Sequence, residues 1–130
     1  MKNDPYKDKL TPEAFQVCRL AATEHPFTGI YNDHWLTGVY QCACCEQALF
    51  DSSAKFNAGC GWPSFSSAIK GQVKYLPDHS LHMPRVEIQC QHCDSHLGHV
   101  FEDGPQPSGK RYCVNSLSLL FALNNESDNV

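Results

Sequence analysis

The chain has 130 residues and a formal net charge of −4, which bounds it to one domain with a modest core. No lysine or arginine cluster offsets that acidic balance, which argues against a nucleic-acid surface. Its hydrophobic content of 42% is ordinary for a globular protein, and no apolar run reaches membrane-spanning length.

Along the chain, residues 1–10 are polar and expected to be loose. Thr11-Pro12-Glu13 reads as an N-cap, a first-turn proline and an acid that favours the positive end of the helix dipole. The helix it starts carries Ala14, Val17, Cys18 and Ala21 on one stripe, so Cys18 reads as a packed thiol. His25-Pro26-Phe27-Thr28-Gly29 is expected to end that helix. From residue 38 the signals are strand-like: Val39, the Leu49-Phe50 pair, Val73 with Tyr75, and Val86 to Gln89 running into Cys90. Leu97, Val100 and Phe101 follow, and Tyr112 to Leu117 is expected to be the last strand. Glycine and proline punctuate the rest, and the tail from Asn124 is polar. The expectation is a single domain over residues 1–130, with its core at about 12–121. The fold is expected to be mainly β, of antiparallel sheets with one N-terminal helix.

Four of the eight cysteines form two C-x-x-C pairs, Cys42 with Cys45 and Cys90 with Cys93. Two thiolates at that spacing reach one tetrahedral ion from a single tight turn, and two such turns close a four-sulfur shell. A closed shell leaves no position for substrate, so the ion is expected to be structural zinc that clips distant parts of the chain together. Such a site contributes on the order of 10 kcal/mol to folding. Cys44 lies beside Cys45 and leaves the first pair's ligand assignment open. The Met1–Pro5 start shows no apolar leader. Cysteine-rich chains without one fit a reducing compartment, with the cytoplasm as the default.

Cys113 stands between Arg111 and Asn115, and in a strand all three leave on one face. A cation beside a thiol raises its thiolate fraction. The residues alone leave open a buried strand cysteine and a nucleophile. His96 and His99 follow the second pair; they read as partners of the metal site, with ligation disfavoured because four cysteines are already available, or as proton donors beside a nucleophilic cysteine, and His92 reads as exposed. In Gly59-Cys60-Gly61-Trp62-Pro63 two glycines free the backbone around a thiol, and Trp62 offers either an apolar wall or a core side chain.

Three stretches together, GCGWPSF at 59–65, RVEIQCQHCDSHLGHVFEDGP at 85–105 and GKRYCVNSLSL at 109–119, resemble the methionine-R-sulfoxide reductase family, MsrB. The resemblance runs from about Pro12 to Phe121. It implies a β-tent of antiparallel sheets and reduction of the R-epimer of methionine sulfoxide, mainly in proteins. By position, Cys113 matches the nucleophile and Cys60 the resolving cysteine. Trp62 matches the wall that receives the substrate methyl group, and His96, His99 and Asn115 the polar residues around the sulfoxide oxygen. Cys42, Cys45, Cys90 and Cys93 match the zinc ligands, with the metal opposite the active face. Thioredoxin is the implied reductant.

The implied chemistry starts with attack of a Cys113 thiolate on the sulfoxide sulfur while His99, assisted by His96, protonates the oxygen. Methionine leaves, Cys113 becomes a sulfenic acid, and Cys60 condenses with it to a disulfide that thioredoxin reduces. Cys44, Ser108, His82 and Pro84 depart from the family pattern without touching the matched catalytic positions. Two rival readings are a non-catalytic zinc β-domain that binds a protein or peptide, and a zinc-ribbon nucleic-acid binder. The second conflicts with the acidic charge.

Overall fold

The structure is a computed structural model and describes residues 5–80 and 83–123. Expectations for residues 1–4, for His82 and for the tail from Asn124 lie outside these. Among the described residues one helix, α1 (Pro12–Leu20), precedes nine strands. The Thr11 hydroxyl accepts from the Ala14 N–H at 3.1 Å, as a cap should. The helix ends earlier than expected, because Ala21 adopts a left-handed conformation with φ 61° and its N–H returns to the Gln16 carbonyl. Ala14, Val17 and Cys18 are buried as the stripe requires.

A three-stranded antiparallel sheet is ordered β2-β1-β9, from β1 (Gly38–Cys42), β2 (Ala48–Asp51) and β9 (Leu119–Leu123). A six-stranded antiparallel sheet is ordered β3-β4-β8-β7-β6-β5, from β3 (Lys55–Phe56), β4 (Ser64–Phe65), β5 (Val73–Asp78), β6 (Arg85–Cys90), β7 (His96–Phe101) and β8 (Arg111–Val114). The core joins the sheets through Tyr40, Leu49, Phe50, Phe65, Ile88, Leu97 and Val114, all fully buried. Phe50 and Phe65 stack with centroids 4.4 Å apart, and Phe50 meets Tyr112 edge-on at 5.9 Å. This pairing buries the inner face of β8, so Tyr112 and Val114 point inward while Arg111 and Cys113 stand on the opposite face.

Two further expectations change. The strand placed at Tyr112–Leu117 stops at Val114; a 3-10 turn over Ser116–Ser118 follows, and a new strand, β9, pairs with β1. The segment at 5–10 is not loose: Tyr6 packs on the core, and Lys9 donates to the Cys44 carbonyl and pairs with Glu46.

The two C-x-x-C hairpins, β1-β2 and β6-β7, are local copies of each other. The N–H of Cys42 bonds the Gln47 carbonyl and that of Cys90 the Ser95 carbonyl, each at 2.9 Å. Glu46 and Asp94, each following its pair, share φ 65°. Each hairpin then slips its register by one residue: Leu49 is extra against Tyr40–Gln41, and Leu97 is extra against Ile88–Gln89. These are β-bulges, and each buries two consecutive side chains, Leu49-Phe50 and His96-Leu97.

Candidate active site and metal centre

The bulge at Leu97 prepares the open face of the large sheet. In regular pleating, residues three apart leave on opposite faces. With one extra residue between them, His96 and His99 share a face, their ring centroids 5.7 Å apart. One rung of the sheet then reads Ser64, Cys113, His99, Glu87 across β4, β8, β7 and β6. Gly98 allows the close approach of β7 to β8, because a Cβ there would collide with the Cys113 carbonyl oxygen.

Cys60 arrives from the loop between β3 and β4. Gly59 and Gly61 both adopt positive φ, and a Cβ on Gly61 would lie 2.6 Å from Pro26. The loop brings the Cys60 sulfur to 3.9 Å from the Cys113 sulfur and 3.3 Å from the Ser64 hydroxyl. Beside the two sulfurs is a cavity of about 240 Å³, with Trp62, His99, Phe101, Arg111 and Asn115 also on its wall. A larger depression of about 380 Å³ lies near α1 and presents no thiol. The chemistry therefore favours the smaller one.

Burial pushes the Cys113 thiol up to about 12, with Cys60 adding to the effect; Arg111 pulls the other way and is outweighed. Arg111 is itself held by Asp103 in a two-pronged pair at 2.9 and 3.2 Å and sits 4.5 Å over the Phe101 ring. Burial also opposes ionisation of Cys60. The Ser64 hydroxyl, the Trp62 backbone, Cys113 and Arg111 together overcome it and leave that thiol below its ordinary value. In the reduced pair, Cys113 thus keeps its proton and Cys60 ionises more readily.

The expected polar trio divides. His99 reaches the cavity wall, with Nε2 2.7 Å from the Asp78 carboxylate. His96 is buried beside it, its Nδ1 2.7 Å from Glu87 and its Nε2 unpartnered among the described residues. Asn115 is buried at the wall with both ends engaged by backbone: its oxygen accepts from Glu24 N–H and its nitrogen donates to the Leu97 carbonyl, each at 3.0 Å. Trp62 is anchored by its indole N–H on the Glu24 carbonyl at 3.0 Å. His92 is exposed, as expected.

Glu24 was not foreseen as a site residue, and nothing near it in the chain marks it. Its carboxylate accepts from Ser116 and Leu117 N–H at 2.9 and 3.0 Å. One buried residue thus ties Trp62, Asn115 and the turn after β8. Asp78, Arg85 and Glu87 were also missed. Only the outward phase of Glu87 on an alternating strand could have signalled any of them.

The second thiol cluster fits a metal ion. The ligand atoms of Cys42, Cys45, Cys90 and Cys93 all lie within 4.8 Å of one another. Cys42 is 3.5 Å from Cys93, and Cys45 is 3.5 Å from Cys90. A tetrahedron with Zn–S bonds near 2.3 Å has sulfurs about 3.8 Å apart, so these four residues would hold zinc in a closed shell that serves structure. Cys44 is not in this group; it is buried and accepts from the Ser95 hydroxyl at 3.0 Å.

A family model described as the SelR domain matches residues 10–123. The chain belongs to the MsrB family. One relative, a peptide methionine sulfoxide reductase MsrB from Alteromonas mediterranea, is 56% identical over 117 residues, covering 89% of this chain and 82% of the relative. Relatives of the same name from Methylibium petroleiphilum and Teredinibacter turnerae are 53% and 54% identical, covering 89% and 93% of this chain and 85% and 91% of their own lengths. Among solved structures, the Mis18 Yippee-like domain superposes with a TM-score of 0.53 at 19% identity, covering 69% of this chain and 99% of that one. That likeness concerns the fold alone. Among the described residues, no helix is long and apolar enough to cross a membrane.

Proposed function

We propose that this protein reduces the R-epimer of methionine sulfoxide in proteins, with Cys113 as nucleophile and Cys60 as resolving cysteine. The observation that carries the reading is the pair of sulfurs 3.9 Å apart on the wall of a cavity with one indole and one histidine. Trp62 would take the methyl group against its ring. Asn115, with both ends held, would shape the wall, and His99 would handle the proton.

The sulfoxide sulfur is electrophilic, but its oxygen leaves only when protonated. Attack by Cys113 reduces the substrate sulfur by two electrons and oxidises Cys113 to a sulfenic acid. Cys60 then attacks that sulfur; an S–S bond forms, the S–O bond breaks and water leaves. The sulfurs must close from 3.9 Å to about 2.05 Å. Cys113 is fixed in a strand paired on both sides, so the glycine loop of Cys60 makes the movement. The ready ionisation of Cys60 suits it to this attack. A protein dithiol such as thioredoxin would return both thiols, and a reducing, cytoplasmic setting would supply it. Zinc at Cys42, Cys45, Cys90 and Cys93 would hold the two sheets together and take no part in the steps.

The test is turnover of separated R and S epimers in a peptide, with dithiothreitol and with thioredoxin. Reduction of the R-epimer alone by both reductants is expected. No turnover with either reductant, and no disulfide gained on adding the sulfoxide, would leave a binding domain instead.

A further inference from the structure

The Cys113 proton poses a problem that the surrounding residues resolve. The nucleophile is held as a thiol, yet attack needs the thiolate and the sulfoxide oxygen needs a proton. Counting atoms removes the need for solvent: thiol plus sulfoxide gives sulfenic acid plus thioether, so the proton lost by sulfur is the one gained by oxygen. One carrier that takes and returns a proton suffices.

His99 is built for that duty. It opposes Cys113 directly in the β7-β8 register. Its Nε2 is 2.7 Å from an oxygen of Asp78 that Arg85 also reaches at 3.0 Å. Asp78 lies on β5, beyond β6, whereas Cys113 lies on β8, on the other side of β7. The bond therefore draws Nε2 away from Cys113. Hydrogen bonds from Ser80, then His99, then the charge of Arg85 hold the Asp78 carboxyl well below the usual carboxylate range. An ionised carboxylate only accepts, so Nε2 carries a hydrogen. Burial first, then Arg85 and His96, push the ring's own ionisation below its ordinary value against the pull of Asp78. A neutral ring with hydrogen on Nε2 has a bare lone pair on Nδ1.

We infer that Asp78 is a positioning residue that fixes the tautomer of His99, and that His99 takes the Cys113 proton on Nδ1 and delivers it to the sulfoxide oxygen. The inference rests on the reductase reading and deepens it: His99 acts first as base and only then as acid. In the step, the Cys113 S–H bond breaks and an Nδ1–H bond forms. The thiolate attacks the substrate sulfur, and Nδ1–H passes its proton to the oxygen. The S–S bond made by that attack and the substrate S–O bond then break as an S–O bond forms on Cys113, so the oxygen finishes as its hydroxyl, the thioether leaves and neutral His99 is restored. The groups around the ring are Asp78 from β5, Arg85 and Glu87 from β6, His96 on its own strand, Cys113 with Arg111 from β8, and Cys60 from the loop.

Nitrogen-15 NMR of the imidazole rings in the reduced protein at neutral pH tests the tautomer without any turnover. A protonated Nε2 and a bare Nδ1 on His99 are expected; hydrogen on Nδ1, or an imidazolium, overturns the inference. Asp78→Asn supplies the kinetic arm. Its amide can donate to Nε2 and so reverse the tautomer, and kcat for the R-epimer should fall on the order of 10²-fold with KM little changed. Asp78→Glu, which keeps the carboxylate, should recover most of that loss. The wild-type rate should be flat from pH 7 to 9 and fall on acidification below the ordinary histidine value, as the ring gains a proton and can no longer accept one. Unchanged kcat in Asp78→Asn, or a rate that climbs tenfold per pH unit through that window, sinks the carrier. A wild type inactive on either epimer defeats the reductase reading instead, and the NMR result still stands.

Discussion

Two cysteine clusters in this molecule use the same element for opposite ends. At the two C-x-x-C turns, here called knuckles, four sulfurs converge from two matched hairpins, each turn closed by backbone hydrogen bonds, and Cys42, Cys90 and Cys93 are buried. At the cavity, two sulfurs meet from unlike supports, Cys113 on a central strand and Cys60 on a glycine loop. The first arrangement would commit all four sulfurs, as thiolates, to one ion. The second leaves each sulfur half-exposed with a single sulfur partner. What separates scaffold from reagent is how many sulfurs converge and whether their supports can move.

The sharpest way to break that comparison is to remove a knuckle ligand. Cys42→Ser should lose the zinc and unfold or strongly destabilise the domain, because a closed structural site is worth on the order of 10 kcal/mol. Metal analysis and denaturant titration measure this, and a folded, active, zinc-free variant would void the division. Cys113→Ser should do the reverse. Folding stays near wild type while sulfoxide reduction falls to background with every reductant, since a hydroxyl is far less ionised than a thiol. Appreciable dithiothreitol-driven rate would remove Cys113 from its role.

Cys60→Ser lies between these. A single turnover should still release one equivalent of methionine, while thioredoxin-linked turnover collapses and dithiothreitol restores part of the rate. Retained thioredoxin activity would point to another resolving thiol, which disulfide mapping would identify. Smaller again is Glu24→Gln: Ser116 and Leu117 N–H each bond a different carboxylate oxygen, and the amide nitrogen that replaces one of them cannot accept. An orphaned buried N–H costs about 1–3 kcal/mol, read as a lower denaturation midpoint with KM raised through Trp62. The least effect belongs to Cys44→Ser, which should keep its full zinc content because Cys44 stands outside the ligand group.

How much of this was legible beforehand follows physical lines. The cap at Thr11, the apolar stripe of α1 and the two C-x-x-C turns are local patterns, and each appears in the fold where its residues imply. The strands from Val73 to Phe101 alternate or end in a knuckle, so they too could be read. β9 could not: Leu119 to Leu123 is a continuous apolar run, and a run without alternation does not declare its period. The break at Asn115 was missed because that residue's partners, Glu24 and Leu97, lie 91 and 18 positions away. The same distance problem hid Glu24 and Asp78, whose roles exist only once β5, β7 and the loop before β1 are assembled. The neighbourhood of Cys113, Cys60 and Trp62 came from long family-like motifs, and no spacing rule would have joined residues 60 and 113. Arg111 was seen as a cation beside a thiol, but not the burial that outweighs it, since desolvation is a property of the packed molecule.

The extra residue at Leu97 gives β7 something like a reading frame. Everything before it, back to the knuckle, is in one phase, and everything after it, through His99 and on to Phe101, is in the other. Deleting Leu97 would remove none of the thiols or histidines of either cluster. It would nonetheless rotate either the histidines or the metal-binding turn to the wrong side of the sheet. Substitutions along this strand are thus graded in their consequences, whereas a change of length by one is all or nothing, and a change of length by two could be absorbed.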